Sequence, residues 1–207
     1  MIIVRSQISE HIEIKTYQEE SVAYAELALA KVFSKPNGRA LLDKINSLSN
    51  QERFVTLEVV RTNTRARPVL TKSQLTRFKI KDYDLDINSR KALEISKQHG
   101  NDKGEGVSAV VYWNPEDAHE IKDGGIPERV KNRELGFVGL AHELVHASRY
   151  LEGVHQHDGK NIFPGNGNFL EEERATGIGR FSNERLSENG IRAEHGLKIR
   201  KSYYGMS

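Results

Sequence analysis

The sequence His142-Glu143-Leu144-Val145-His146 lies inside Gly136–Leu151, a stretch whose apolar residues recur at helical spacing. This five-residue pattern constrains the chain more than any other feature. On a helix, residues four apart share a face, so two imidazoles can meet at one metal ion. The intervening glutamate projects beside them, where a general base can take a proton from a metal-activated water. The chain has no cysteine, which excludes disulfides, thiolate zinc sites and cysteine-protease chemistry. Any zinc must therefore be held by histidine and carboxylate.

Helical projection places Phe137, Leu140, Leu144, Ala147 and Leu151 on one apolar stripe, with His142 and His146 nearly opposite. An amphipathic helix over about residues 135–152 is expected. A catalytic site needs a third protein ligand. The continuation His-x-x-Gly-x-x-His of the metzincins fails, because Arg149 stands at the glycine position and Glu152 at the last. His155 and His157 lie close by and read as loop histidines in the segment 153–168. The acidic run Glu171-Glu172-Glu173 opens a second helix near Asn168, about 25 residues after His146. Asn168-x-x-Glu171 resembles a capping box, which assigns Glu171 to the helix start. Ala175 lies one turn after Glu172 and permits close helix approach. The expected metal ligands are therefore His142, His146 and Glu172, with Glu143 as base and Glu171 and Glu173 as alternatives to Glu172. Tyr203, Tyr204, Arg180 and His195 are the candidate donors to an oxyanion.

The remaining chain reads as α+β. Short extended segments are expected in 1–16, helices over 17–34 and from Arg39 to about Ser49, and strands at 54–60 and 107–113. Lys35-Pro36-Asn37-Gly38 reads as the break between the two helices. Residues 61–104 are expected to hold loops with one or two short elements, and 116–133 a charged connection. The strand 107–113 is a candidate substrate-binding edge. A single domain over 1–207 is expected, with residues 1–16 as a candidate N-terminal extension or export signal.

The 207 residues carry a net charge of +2, with 37% hydrophobic and 29% charged residues. That balance is compatible with a core and calls for neither a nucleic acid nor an anionic membrane as partner. No apolar run approaches the roughly 18 residues of a spanning helix, and no Sec-type signal peptide is readable. The basic stretch Arg61 to Lys81 offers a second reading, a non-catalytic protein that docks an acidic partner. It lacks the interleaved aromatic residues of a single-strand nucleic-acid platform.

A family resemblance sharpens the first reading. The motif 142–147, Glu171-Glu172-x-Arg174-x-x-Gly177, Ser187-Glu188-Asn189-x-Ile191-Arg192-x-Glu194-x-Gly196 and Arg200-x-Ser202-Tyr203 resemble the NleD-like zinc metalloproteases, type III secreted effectors of Gram-negative bacteria. The strand 107–113 with Asn114-Pro115, and Leu41–Ile45, are also similar. The chain departs from that pattern at Glu173 and Ala175. The resemblance implies a zincin-like fold, a Zn²⁺ cofactor and delivery into the host cytosol. It further implies host protein substrates, the JNK and p38 classes of MAP kinase cleaved in their activation loops. A monomer is expected.

Overall fold

The computed structural model describes residues 1–157 and 166–204. The expected loop 153–168 falls partly outside these residues. Five strands form one mixed sheet in the order β1-β2-β3-β5-β4. They are β1 (Ile2–Arg5), β2 (Ile12–Thr16), β3 (Val55–Val59), β4 (Arg65–Val69) and β5 (Ser108–Trp113). β2, β3 and β5 run parallel, while the outer strands β1 and β4 pair antiparallel to their neighbours. Ile12 and Ile14, Val55 and Leu57, and Ala109, Val111 and Trp113 alternate onto one buried face, as a period of two requires.

That face is covered by α1 (Glu20–Val32), α2 (Pro36–Leu48) and α5 (Gly136–Glu152). Leu29, Val32, Leu41, Ile45, Leu140, Leu144 and Leu151 fill the layer between. Pro36 opens α2 rather than lying in a break before it. It occupies the first turn, where its missing N–H costs nothing and its φ is already helical. α5 is fixed at both ends. The Trp113 indole N–H donates to Gly136 C=O at 2.9 Å. Gly153 ends the helix at φ 73°, where a side chain would also strike Gly104 C=O.

Three expectations are corrected. Residues 61–104 hold the strand β4 and two helices, α3 (Lys72–Phe78) and α4 (Leu85–Ile95). The alternation of charged and small residues in Arg65–Val69 hides β4, since only its face toward the core is apolar. Residues 116–133 form a hairpin of β6 (Asp117–Ile121) and β7 (Pro127–Lys131). The strand 107–113 is interior, flanked by β3 and β4, so it cannot be the substrate edge. The two edges of the sheet are β1 and β4.

Three of the seven cations in the run 61–81 have partners within the fold. Arg67 pairs with Asp86, Arg77 pairs with Glu105, and Arg65 lies over the Tyr112 ring. No helix among the described residues is long and apolar enough to cross a membrane.

His155 is not a loop side chain. It is fully buried, with Nε2 on Leu93 C=O at 3.1 Å and Ser96 Oγ at 2.9 Å, while Nδ1 accepts from His157 N–H at 3.1 Å. Those bonds select the neutral ring, and burial pushes its pKa down to about 4. Below about pH 6.5 the unfolded chain binds a proton that the folded chain refuses until about pH 4. Stability is therefore lost across that window as pH falls. Thermal melts from pH 7 to 4 are expected to show a steeper loss for the wild type than for His155→Gln, with the difference equivalent to about 3 kcal/mol. Parallel profiles would remove His155 from the account.

Candidate metal centre

α5 is buried almost all round. Of its 17 residues only Gly139, Glu143 and Glu152 keep appreciable exposure. The expectation that the histidines oppose the core is therefore corrected. His142 and His146 are buried because α6 (Gly167–Thr176) and α7 (Glu188–Glu194) cover the side that a two-faced projection assigns to solvent. Glu152 pairs with Lys44 and Lys103, away from the histidines, as the failed metzincin continuation requires.

α6 begins at Asn166, whose side chain caps Phe169 N–H at 2.9 Å. Its register brings Glu172 to the histidine pair, and Ala175 is fully buried one turn on. Glu172 Oε2 lies 3.2 Å from His142 Nε2 and 3.4 Å from His146 Nε2, and the two Nε2 atoms are 3.1 Å apart. Three ligands at about 2.0–2.1 Å from a tetrahedral ion stand about 3.3 Å from one another. The His142, His146 and Glu172 donor set therefore fits one zinc ion, and it is the group of potential ligands found among the described residues.

Each histidine is oriented from behind through Nδ1. Glu188 Oε2 lies 3.1 Å from His142 Nδ1, and Glu171 Oε1 lies 3.8 Å from His146 Nδ1. The Glu188 bond puts the N–H of His142 on Nδ1 and leaves its Nε2 free for a metal, while Glu171 faces Nδ1 of His146 at ion-pair distance. Burial pushes His142 down, but Glu172 and Glu188 outweigh it and bring the ring up to about 9. His146 is raised well above its ordinary value, with burial again opposed by Glu172 and Glu171. Proton and metal thus compete for the same nitrogens.

Glu188 is itself held by Arg192 Nε at 2.7 Å and Arg200 Nη1 at 2.9 Å. Burial opposes its ionisation, but Arg200 and His142 hold its carboxyl far below the usual range. Glu171 is bound by Arg149 and accepts from Gln156 N–H at 3.0 Å. Despite burial, its pKa is drawn down to about 2 by His146 and Arg149. The capping role expected for Glu171 is thus corrected. The cap is Asn166, and Glu171 is a fully buried support for His146. Glu173 is half-buried and points toward Gly179, outside the ligand set.

Glu143 is partly exposed, at the mouth of the site. Burial of its carboxylate and the nearby Glu172 raise its pKa, while the two histidines lower it. Of the candidate oxyanion donors, Tyr203 reaches the site. Its hydroxyl lies near Glu172, and burial together with that carboxylate pushes its pKa up, so it stays protonated. Tyr204 stacks on Phe169, Arg180 lies over Phe181 on the surface, and His195 packs on Phe137. Tyr203 is placed by Asn189, whose side chain accepts from Arg200 N–H and donates to Arg200 C=O, both at 2.8 Å.

The sequence reading assigned no role to Glu188, Arg192, Arg200 or Arg149. The i,i+4 spacing of Glu188 and Arg192 is visible in the sequence, but such pairs ordinarily lie on solvated faces.

A family model for effector proteins, Peptidase_M91, matches residues 9–203. The chain belongs to that family. No curated protein matches the sequence. Among solved structures, the chain is similar to the botulinum neurotoxin type G light chain, at 12% identity and TM-score 0.49, covering 94% of this chain and 74% of that one. It is similar to the serotype HA light chain at 13% identity and TM-score 0.49, covering 88% and 56%. A Clostridium botulinum serotype F light chain aligns at 15% identity and TM-score 0.45, covering 85% and 48%. The chain thus spans about half the length of the latter two.

The three adjacent glutamates are separable by experiment. Glu172→Gln is expected to weaken zinc binding by about 100-fold or more, read by competition with a chelating dye. Glu171→Gln is expected to lower stability by about 3–5 kcal/mol, because it strands Arg149 in the core. Glu173→Gln should match wild type in both assays. Loss of zinc in Glu173→Gln with retention in Glu172→Gln would reverse the assignment.

Proposed function

We propose that this effector peptidase is a zinc-dependent endopeptidase of the glutamate-zincin type, with His142, His146 and Glu172 as ligands and Glu143 as general base. The observation that carries this reading is the spacing of the three donor atoms at tetrahedral edges, with Glu143 alongside. Zinc, when bound there, would lower the pKa of a water and polarise a peptide carbonyl. Glu143 takes the water proton and passes it to the departing amine nitrogen. Its raised pKa suits both halves of that transfer. The Tyr203 hydroxyl donates to the oxygen that gains charge on the attacked carbonyl. Glu188 and Glu171 hold the imidazoles in the tautomer that ligation needs.

The edge strand β4 runs beside Glu143, whose carboxylate faces Ala66 N–H. An extended substrate segment adds to that edge by main-chain pairing. By resemblance, the substrates are host JNK- and p38-type kinases, cut in their activation loops after type III delivery into the host cytosol. A peptide chain rather than a small molecule fits an open strand edge.

Two substitutions test the chemistry. Glu143→Gln is expected to retain stoichiometric zinc and to lose about 10²–10⁴-fold in kcat on recombinant p38 or JNK. Tyr203→Phe is expected to retain zinc and lose about 10²-fold in kcat with KM little changed. A wild-type protein that holds no zinc, or a Glu143→Gln enzyme of normal rate, would sink the proposal.

A further inference from the structure

The hairpin of β6 and β7 reaches from the start of β4 to the segment that carries Tyr203. Its base is fixed. Asp117 Oδ2 accepts from Thr64 N–H at 3.0 Å, and Asp117 Oδ1 accepts from Arg129 Nε at 2.7 Å. Ala118 and Ile121 are buried. His119 C=O accepts from Arg192 Nη2 at 2.9 Å, and the same guanidinium holds Glu188 behind His142. Strand pairing from Asp117–Lys131 to Ile121–Pro127 carries that rigidity to the turn at Asp123-Gly124-Gly125.

At the turn, Gly125 C=O accepts from Lys201 N–H at 2.8 Å. Gly124 and Gly125 have φ of 81° and 82°, a region that favours glycine at both positions. They differ in what lies beside them. Gly124 is exposed, and a Cβ there would meet Ile126 Cδ1 at 3.9 Å and nothing closer. Gly125 is buried, and a Cβ there would lie 2.5 Å from Lys201 Cγ, 2.8 Å from its Cβ and 2.9 Å from its N. The Cγ can swing aside, but the Cβ and N move only with the main chain. Turn conformation accounts for Gly124, whereas Gly125 also permits the close approach of residue 201.

Residue 201 lies two positions before Tyr203. Its neighbour Arg200 is held on α7 by Asn189 and Glu188. The Arg200 guanidinium in turn donates to the carbonyls of Ser202 and Tyr203. The segment therefore has one fastening on α7 and one on the hairpin turn. The Lys198–Asp123 pair, at 3.0 Å, is solvent-exposed and adds little to the second.

We propose that the β6–β7 hairpin aims the Tyr203 hydroxyl, with Gly125 as the positioning residue: its bare Cα lets the main chain of residue 201 dock on the turn, and that docking fixes where the phenol stands at the site. This rests on the reading of Tyr203 as the donor to the attacked carbonyl oxygen. Such a donor contributes only if it is aimed before charge develops. Contacts of 2.8 and 2.9 Å fall short of the 3.4 Å at which ordinary contact begins, so a side chain at 125 pushes residue 201 away. A misplacement of about 1 Å in a reacting group costs on the order of 10²-fold in rate. Gly125 touches neither the substrate nor the ligand set, so its effect passes through Tyr203.

The test uses zinc-loaded enzyme and a protein whose Glu143-dependent cleavage has been mapped in native host-cell lysate. Gly125→Ala is expected to lose about ten-fold or more in kcat, with KM within about two-fold and zinc still stoichiometric. Gly124→Ala takes on the same backbone strain without meeting residue 201, and is expected to stay within about three-fold of wild type. In a Tyr203→Phe background, Gly125→Ala is expected to add less than about two-fold, because the group it aims is already gone. In the metal-free protein, amide exchange at Lys201 is expected to quicken about ten-fold or more in Gly125→Ala and to stay near wild type in Gly124→Ala. Lys201→Pro withdraws the same hydrogen bond with no atom added to the hairpin. It is expected to lose kcat in the same range and carries the test where Gly125→Ala does not fold. Equal losses at 124 and 125, unchanged kcat or Lys201 exchange in Gly125→Ala, or a full loss on top of Tyr203→Phe overturns the inference and leaves the protease reading intact. A Tyr203→Phe enzyme of normal kcat overturns the donor role and this inference with it. A lysate with no Glu143-dependent termini overturns the protease reading as well.

Discussion

The carboxylate of Glu188 accepts from His142, Arg192 and Arg200 at once, and the geometry of the site depends on it. One anion in the core fixes the ring of a ligand, the side of α7 that faces α5, and the path of the chain after residue 197. Such an anion survives burial only with its donors in place, because an unpaired charge in the interior is costly. Glu171 does the same on the other side, between His146 and Arg149. The two histidines are thus held between two buried carboxylates, each neutralised by arginine. The apolar packing of α5 on the sheet makes the platform, and the two ion-pair clusters set the tautomer and aim of its imidazoles.

Much of this was legible in the sequence. The His-Glu-x-x-His spacing located both histidines and the exposed glutamate between them. Rejection of the metzincin continuation followed from Arg149, and the structure gives that residue a reason: it is the partner of Glu171. Glu172 was favoured by Ala175 one turn on, but the sequence left Glu171 and Glu173 open, and the helix register that separates them, about 100° per residue, is read from the structure. The parallel strands β3 and β5 were readable because their inward residues are apolar.

What was not legible shares a physical cause. The projection of α5 had only the helix's own residues, so it placed the histidines against solvent. Burial by α6 and α7 is a tertiary fact carried by residues 20 or more positions away. The capping pattern at Asn168 competed with a better one at Asn166, and local pattern alone does not rank them. β4 escaped notice because an edge strand beside a cleft carries arginine and proline where an interior strand carries valine and isoleucine. The order of strands is not in the periodicity either, which is why the strongest strand was mistaken for an edge.

The Asn189 side chain holds Arg200 by both its N–H and its C=O, doing for one residue what a neighbouring strand does for a row. The segment that carries Tyr203 is fastened by this amide, by the Arg200–Glu188 ion pair and by Lys201 N–H on Gly125 C=O, without a ladder. In chain order, the proposed ligand set is complete at residue 172, while the Tyr203 hydroxyl arrives 31 residues later. Capacity to hold a metal and capacity to stabilise a developing charge are consequently written into different stretches of polypeptide. Asn189 also donates to Gly177 C=O at the end of α6, so one side chain ties the two stretches together.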